Sequence, residues 1–352
     1  MNSHDKYINR CLELAQSGLG YVAPNPMVGC VIVHNDEIIG EGFHRVYGGF
    51  HAEVNAINSV KDAELLKKSS IYVNLEPCSH YGKTSPCAEL IIQHKIPKVI
   101  VGSTDPHVLV GGKGIEMLRN AGCEVITGVL EKDCIQLNKR FFTFHIKKRP
   151  YIILKWAQTL DGFIDIDRNI TSNQNSWISN DALKRLVHLW RTQEQSILVG
   201  YNTALVDNPQ LNVRIVSGKN PLRVVYDPKN KLPPDLHLFD GSTPTLLICN
   251  KNQHPIKDNA ETEIIPSSSE AAQNILEVLY KKNIQSVIIE GGKNTLEMFI
   301  RSGLWDEALI LVGNKTFGRG LQAPVIQNTA KYIEDVQGDK IMYIENPLQS
   351  LT

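Results

Sequence analysis

Apolar positions along the first 146 residues follow two alternating spacings. DKYINRCLELAQSG at 5–18 has the spacing of an amphipathic helix and ends in Gly, whereas MVGCVIV at 27–33 is a β-branched run typical of a buried strand. Further helices are predicted at 51–60, 86–96, 114–122 and 134–146, and further strands at 70–75, 98–103 and 123–128. Strands alternating with helices predict a largely parallel sheet with helices on its faces.

A second alternating series follows the charged, Pro-ended segment KKRP at 147–150. Strands are predicted at 151–158, 196–200, 222–227, 245–250, 286–290 and 306–313, and helices at 179–193, 269–283 and 294–303. The stretch 228–270 is rich in Pro, Asn, Lys and Ser, which predicts long loops. We therefore expect two α/β domains, 1–146 and 147–352, as the chain length also suggests at roughly 150 residues per domain.

Composition narrows the functional classes. The 352-residue chain has 37 Lys and Arg against 37 Asp and Glu, and this zero net charge argues against a nucleic-acid binder that neutralises phosphates. No stretch approaches eighteen continuous apolar residues, and MNSHDKYINR lacks the apolar core of a signal peptide. We expect a cytoplasmic protein without a membrane partner. Seven scattered cysteines fit reduced thiols or metal ligands better than a disulfide framework.

Three residues have the pattern of a catalytic zinc site. His51 lies in HAE at 51–53, and Cys78 and Cys87 each follow a Pro within PCSHYGKTSPC. One His and two Cys leave a fourth zinc position open for water, whose pKa the metal lowers towards neutrality. Glu53 lies close enough in sequence to move protons at that position. The order is that of the zinc-deaminase signature, with a longer interval between the cysteines.

Two other interpretations stay open. His80 could be a fourth protein ligand, which would make the zinc structural and the protein a non-enzymatic scaffold. Alternatively, the chain could be a single-activity nucleoside or nucleic-acid deaminase whose carboxy-terminal domain is a binding module. The long interval between the cysteines and the zero net charge argue against that second alternative.

The first half of the chain resembles the deaminase half of the bifunctional riboflavin-biosynthesis deaminase/reductase family. The stretches that carry the resemblance are APNPMVGCVIV, GFHRVYGGFHAEVNAI, YVNLEPCSHYGKTSPCAELI and STDPHVLVGGKGIEMLRNAG. It implies a cytidine-deaminase-like α/β/α fold and a diaminopyrimidinone substrate that carries ribose 5-phosphate. By position, it also implies substrate contacts from Asn25, His44, His80, Lys83 and Asp105. Lys83 suits a phosphate and Asn25 the base edge; the family usually has Asn where this chain has His107.

The second half resembles the reductase half of the same family, which is similar to dihydrofolate reductase in fold. RPYIILKWAQTLDGFI, SWIS, HLWRTQEQSILVGYNTALVDNPQLNVR and VIIEGGKNTLEMF carry this resemblance. It implies reduction of the ribosyl group to ribityl by NADPH. By position, the cofactor contacts would be Ala157, Trp177, Thr203, Asp207, Gly291, Gly292, Lys293, Asn294 and Thr295. The substrate contacts would be Asn175, Arg191, Leu211, Arg214 and Glu290. The family usually has Ser at position 175 and Asp at position 208.

The residue types suit these roles. Arg191 and Arg214 can each hold the substrate phosphate through a bidentate fork. The strand, Gly pair and helix around Glu290 place that side chain at the crevice of the sheet and offer helix N–H groups to a cofactor phosphate. VGGKG at 110–114 matches neither a dinucleotide nor a P-loop motif and is predicted as a turn. We expect one zinc ion per chain, NADPH, a phosphorylated pyrimidine substrate, no nucleic acid, and a homo-oligomer.

Overall fold

The computed structural model describes residues 3–81, 85–107, 111–167, 177–251 and 259–351. Its chain divides into two compact units. The first is Met1–Lys148 with Leu351–Thr352, and the second is Arg149–Ser350. No helix among the described residues combines the length and apolar character needed to cross a bilayer.

The first unit contains six helices and five strands among its described residues. The helices are α1 (Ser3–Gln16), α2 (Ala52–Ser59), α3 (Cys87–Gln93), α4 (Lys113–Asn120), α5 (Glu131–Leu137) and α6 (Lys139–Lys147), and the strands are β1 (Gly29–His34), β2 (Glu37–Phe43), β3 (Ser70–Leu75), β4 (Lys98–Ser103) and β5 (Glu124–Thr127). The strands form one sheet in the order β2-β1-β3-β4-β5. Apolar side chains of β1, β3 and β4 are buried against α2 and α3, which places the main core between sheet and helices.

The prediction of a largely parallel sheet is wrong for one side of this unit. β3, β4 and β5 pair in parallel, but β1 is antiparallel to both β2 and β3. β1 and β2 form a hairpin whose turn residues Asn35 and Asp36 have φ of 49° and 64°, as a two-residue hairpin turn requires. The single helix predicted at 134–146 is instead two helices that meet at Asn138.

The second unit is built on a nine-stranded sheet. The strands of the whole unit are β6 (Tyr151–Thr159), β7 (Phe163–Ile166), β8 (Ser196–Gly200), β9 (Leu222–Tyr226), β10 (Thr245–Cys249), β11 (Glu261–Ile264), β12 (Ser286–Ile289), β13 (Glu307–Gly313), β14 (Gly320–Gln322), β15 (Tyr332–Val336) and β16 (Asp339–Glu345). Its helices are α7 (Asp181–Gln193), α8 (Tyr201–Asp207), α9 (Ala271–Lys281) and α10 (Lys293–Ser302). The sheet order is β11-β10-β9-β8-β12-β6-β13-β16-β15, and β7 and β14 form a separate two-stranded ribbon.

Seven neighbouring strands of the large sheet, from β11 to β13, run parallel, and β16 and β15 add an antiparallel edge. Chain order reverses around β12, which lies between β8 and β6. In such sheets, ligands bind in the crevice beyond the carboxyl ends of the strands at the reversal. The inner strands β8, β10 and β12 are buried on both faces. Phe299 and Trp305 lie in the same core cluster as side chains of the sheet.

Candidate active sites

The first candidate site lies at the amino-terminal ends of two helices. His51 is the residue that precedes α2, with extended backbone angles, and Glu53 is in the first turn of that helix. Cys87 is the first residue of α3, where Pro86 caps the helix. Cys78 lies in the segment that follows β3. The positive end of a helix dipole favours a thiolate, so the start of α3 suits the metal-binding Cys87 and the Cys78 sulfur that accepts its N–H.

The three predicted metal ligands converge. His51 Nδ1 lies 3.6 Å from Cys78 Sγ and 3.3 Å from Cys87 Sγ. Tetrahedral zinc with ordinary bond lengths holds nitrogen and sulfur ligands about 3.6 Å apart, so the side chains fit this ion. Within the described part of the chain, no fourth His, Cys, Asp or Glu atom joins the group. His80 is exposed and outside it, which argues against the structural-zinc alternative.

Hydrogen bonds within this cluster favour the thiolate form of Cys78. A hydrogen bond from the Cys87 thiol lowers the pKa of Cys78 to about 4, against the effect of burial, and His51 acts in the same direction. The Cys87 backbone N–H also donates to Cys78 Sγ at 3.3 Å. Burial raises the pKa of Glu53 to about 7, with a further rise from the Cys78 charge. A carboxyl group with that pKa can accept and release a proton near neutrality.

Two predicted substrate contacts lie beside the cluster. The buried His44 ring is 5.5 Å from the His51 ring. Its Nδ1 contacts the Phe50 carbonyl oxygen at 2.9 Å, and its Nε2 contacts Asn25 Nδ2 at 3.1 Å. A carbonyl only accepts and an amide NH₂ only donates, so His44 carries its proton on Nδ1 and accepts at Nε2. This arrangement leaves the Asn25 side-chain oxygen available to a ligand.

Asp105 follows β4 and is half-buried. Burial raises the pKa of Asp105, and the charges of His107 and His80 oppose that rise. The backbone N–H of His107 donates to Asp105 Oδ1 at 2.8 Å, and its ring lies 5.0 Å from that of His145. Lys83 lies outside the described residues, so its predicted contact with the phosphate stays a prediction.

The second candidate site is a cavity of about 1760 Å³ in the second unit. Its wall includes these residues predicted to contact cofactor or substrate: Ala157, Trp177, Arg191, Thr203, Asp207, Leu211, Arg214, Glu290, Gly292, Lys293, Asn294 and Thr295. Gly291 is buried behind that wall, where an added Cβ would lie 2.9 Å from the Val199 side chain. Asn175 lies outside the described residues.

Glu290 and Arg191 form a buried ion pair at this cavity. Arg191 donates from Nε to Glu290 Oε1 at 2.9 Å and from Nη2 to Oε2 at 2.7 Å. Its Nη1 donates to the Asn212 carbonyl oxygen at 3.1 Å. Burial would raise the pKa of Glu290, but the charges of Arg191 and Lys155 outweigh it and lower that pKa to about 2. Glu290 is therefore an ionised acceptor at neutral pH.

The two arginines predicted to hold the substrate phosphate have different surroundings. The Arg191 fork is directed at Glu290 and is mostly buried. Arg214 is exposed, lines the cavity, and its Nη1 donates to Asn212 Oδ1 at 3.0 Å. Arg214 is thus the better placed of the two to receive an incoming anion.

The helix predicted to bind cofactor phosphate begins at the cavity. Gly292 precedes α10 with φ of +64°, and an added Cβ would lie 2.8 Å from Thr203 Oγ1. Glycine is therefore required there for both backbone angle and space. The first turn of α10 lines the cavity and consists of Lys293, Asn294 and Thr295. Its free backbone N–H groups are of the kind that bind phosphate.

Two family models match the chain, one in each unit. Residues 1–103 match the family model described as the cytidine and deoxycytidylate deaminase zinc-binding region, and residues 150–335 match the RibD C-terminal domain. The riboflavin biosynthesis protein RibD of Aquifex aeolicus is 37% identical over 319 residues, which cover 90% of this chain and 88% of that protein. The chain belongs to the RibD family.

Other members of the RibD family match at similar length. RibD of Escherichia coli is 33% identical over 334 residues, covering 90% of this chain and 89% of that one. A crystal structure from Thermotoga maritima, of a diaminohydroxyphosphoribosylaminopyrimidine deaminase/5-amino-6-(5-phosphoribosylamino)uracil reductase, is 35% identical with a TM-score of 0.88 over 97% of this chain and 98% of that one. The expected fold class and bifunctional deaminase/reductase activity in riboflavin biosynthesis are thereby confirmed.

One charged residue at the RibD reductase cavity was not among those predicted from the sequence. The Lys155 side chain in β6 is 13% exposed and lines the cavity, and its Nζ lies 3.5 Å from Glu290 Oε2. Burial lowers the pKa of Lys155, and Glu290 opposes this effect. Lys155 is the one charged residue in the apolar strand YIILKWAQ, and that contrast was the available signal.

Proposed function

We propose that this chain deaminates a diaminopyrimidinone carrying ribose 5-phosphate and then reduces the ribosyl group of the product to ribityl with NADPH. The observation that carries the proposal is the convergence of His51, Cys78 and Cys87 beside the buried Glu53. The name of the Thermotoga maritima relative supports the choice of substrate. Deamination consumes one water and releases one ammonia, and reduction consumes one NADPH and one proton.

The metal site supports the deamination step. When bound by His51, Cys78 and Cys87, zinc would act as a Lewis acid that makes water a nucleophile near neutral pH. Glu53 accepts a proton from the attacking water and delivers one to the amine that leaves as ammonia. Its raised pKa suits both transfers. Burial of the Glu53 side chain excludes bulk water from the proton that it holds.

Asn25, His44 and Asp105 orient the pyrimidine. Because His44 holds the amide nitrogen of Asn25, the amide oxygen is oriented to accept from a ring N–H or an exocyclic amine. Asp105 offers a further acceptor. We propose that His80 and Lys83 lie near the ribose phosphate, as the family resemblance implies.

The cavity of the second unit supports the reduction step. NADPH supplies the hydride that reaches the anomeric carbon of the sugar. The amino-terminal turn of α10 would hold a cofactor phosphate, and Ala157, Trp177, Thr203 and Asp207 line the same cavity. Glu290, kept ionised by Arg191 and Lys155, accepts hydrogen bonds from substrate donors. Arg214 holds the substrate phosphate.

We also propose that residues 1–146 form the deaminase domain and 147–352 the reductase domain, with one zinc ion per chain. The two family models, which match on either side of residue 146, support this division. The expectation of a homo-oligomer is tested by light scattering of the purified protein.

An assay of the purified chain with the diaminopyrimidinone ribosyl phosphate tests the proposed function. Without NADPH, ammonia should be released and a deaminated ribosyl product should accumulate. With NADPH, that product should disappear as the cofactor is oxidised. A chain that releases ammonia but does not oxidise NADPH with the deaminated product would contradict the proposed reduction.

A further inference from the structure

The Gly-rich segment 111–114, predicted only as a turn, surrounds a carboxylate of the chain itself. The N–H of Gly112 donates to Glu76 Oε2 at 2.9 Å. The N–H groups of Gly114 and Ile115 donate to Glu76 Oε1 at 2.9 Å and 3.2 Å. This is the geometry with which Gly-rich loops and helix ends bind anions, and here the anion is a buried side chain of the same unit.

A fourth donor comes from another loop. The backbone N–H of Asp105 donates to Glu76 Oε2 at 3.2 Å. Each Glu76 oxygen therefore accepts two N–H groups, and only the ionised carboxylate can accept at both oxygens without donating. Glu76 is 5% exposed, so its carboxylate depends on these four N–H groups and not on water for its hydrogen bonds.

The carboxylate connects two loops that leave neighbouring strands. Glu76 directly follows β3, and its N–H donates to the Ser103 carbonyl oxygen at the end of β4. Two residues beyond Glu76 lies the metal ligand Cys78, and two residues beyond Ser103 lies Asp105. One side chain thus fixes the segment that carries a metal ligand to the backbone of a predicted substrate contact.

The glycines permit this close approach. An added Cβ on Gly114 would overlap the Pro77 carbonyl oxygen, and one on Gly111 would lie 2.6 Å from the Asp105 carbonyl oxygen. Gly112 has φ of +83° at the start of α4, a backbone conformation that favours glycine. These glycines therefore allow the segment to place N–H groups against Glu76 and its backbone close to Asp105.

We propose that Glu76 is a positioning residue for the deamination step, one that holds Asp105 at a set place relative to the metal ligands. The assignment rests on the proposed function, because Asp105 matters only if this site binds the pyrimidine. Glu76 itself is covered by backbone N–H groups, so it acts through Asp105 and not by touching the substrate.

Glu76→Gln in the full chain tests the assignment. The amide keeps the size of the side chain but replaces an acceptor oxygen by an NH₂ group that faces N–H donors. Deamination kcat/KM should fall about tenfold or more, with most of the loss in KM. Zinc content and reduction of supplied deaminated intermediate should stay unchanged. Glu116→Gln, the same change at an exposed position of α4, should leave both activities unchanged.

A double-mutant cycle and hydrogen exchange separate positioning from general stability. In an Asp105→Ala background, Glu76→Gln should cost less than a third of its effect in the wild type, because no carboxylate is left to position. Amide exchange in peptides spanning 104–116 should accelerate in Glu76→Gln and not in Glu116→Gln. If Glu76→Gln does not fold, Gly112→Ala, strained at positive φ, takes its place in the cycle.

Several results would overturn the assignment. These are deamination within twofold of wild type, an equal loss in both backgrounds, unchanged exchange in 104–116, or a loss that accompanies loss of zinc. If the unmodified chain released no ammonia from the pyrimidine, the proposed function would fail and this assignment with it. If the wild-type chain deaminates the pyrimidine and Glu76→Gln does so equally well, the proposed function would stand and only the role of Glu76 would be wrong.

Discussion

Arg191 holds Glu290 through two parallel hydrogen bonds, of 2.9 Å from Nε and 2.7 Å from Nη2. Their side chains are 11% and 7% exposed and line the wall of the reductase cavity. A guanidinium fork engaged in this way is not offered to a phosphate, whereas the exposed Arg214 is. The structure therefore gives different surroundings to two arginines that look equivalent in the sequence. Their separate effects on reduction can be measured.

Arg214→Ala should weaken reduction only when the substrate carries its phosphate. Because charge-assisted bonds contribute roughly 1.5–3 kcal/mol, kcat/KM should fall about 10- to 100-fold, mostly through KM. Steady-state kinetics with phosphorylated and dephosphorylated deaminated intermediate measure this. An equal loss on both substrates would show that Arg214 does not contact the phosphate.

Arg191→Ala should reduce activity by the same factor on both substrates. Removing one member of a buried ion pair leaves the other charge uncompensated, which typically costs roughly 3–5 kcal/mol of stability. The free energy of unfolding of the second unit should fall accordingly. All four Trp residues lie in that unit, so tryptophan fluorescence in urea reports its unfolding. A loss confined to the phosphorylated substrate, with stability unchanged, would restore the direct phosphate contact for Arg191.

Glu290 should make the second unit sensitive to acid. Its folded pKa of about 2 lies below the ordinary value of 4.5, because the charges of Arg191 and Lys155 outweigh burial. The ionised group therefore stabilises the folded state above pH 4.5, and this contribution is lost as pH falls towards 2. The urea midpoint by tryptophan fluorescence should fall more steeply from pH 5.5 to 3 in wild type than in Glu290→Gln. Parallel profiles would contradict this coupling.

Zinc should be required for deamination alone. Cys78→Ser should lose most of the metal and the ammonia release, while reduction of supplied intermediate continues. Cys123→Ser is the matched control, because Cys123 is partly buried in the same unit but lies outside the metal cluster. Metal analysis of both variants, together with assays of ammonia release and of NADPH oxidation, measures the outcome. Full deamination after exhaustive removal of zinc would contradict the metal assignment.

Buried elements and local motifs were predictable from the sequence. β3 and β4 are apolar runs buried on both faces, and their predicted bounds match the observed ones. β2 and β15 were missed because they lie at sheet edges, where β2 buries only two residues and β15 buries none, so neither shows a continuous apolar signal. The Cys and His metal ligands were predictable because zinc chemistry restricts residue type and spacing.

Contacts between distant parts of the chain were not predictable from spacing. Glu290 lies 99 positions from Arg191, so the sequence could not show which anion the guanidinium faces. Glu76 is held by N–H groups, which every residue but proline carries and no side-chain pattern marks. Lys155 was visible as a charge in an apolar strand, but its partner was not.

Glu53→Gln, assayed with two substrates, tests the central claim that one chain performs both reactions at separate sites. The variant should keep its zinc and lose ammonia release from the diaminopyrimidinone ribosyl phosphate by about 100-fold or more, the scale of a lost general acid/base. NADPH oxidation should therefore stop with that substrate but continue at the wild-type rate with the deaminated intermediate. Near-normal ammonia release by the variant, or loss of NADPH oxidation with both substrates, would contradict the account.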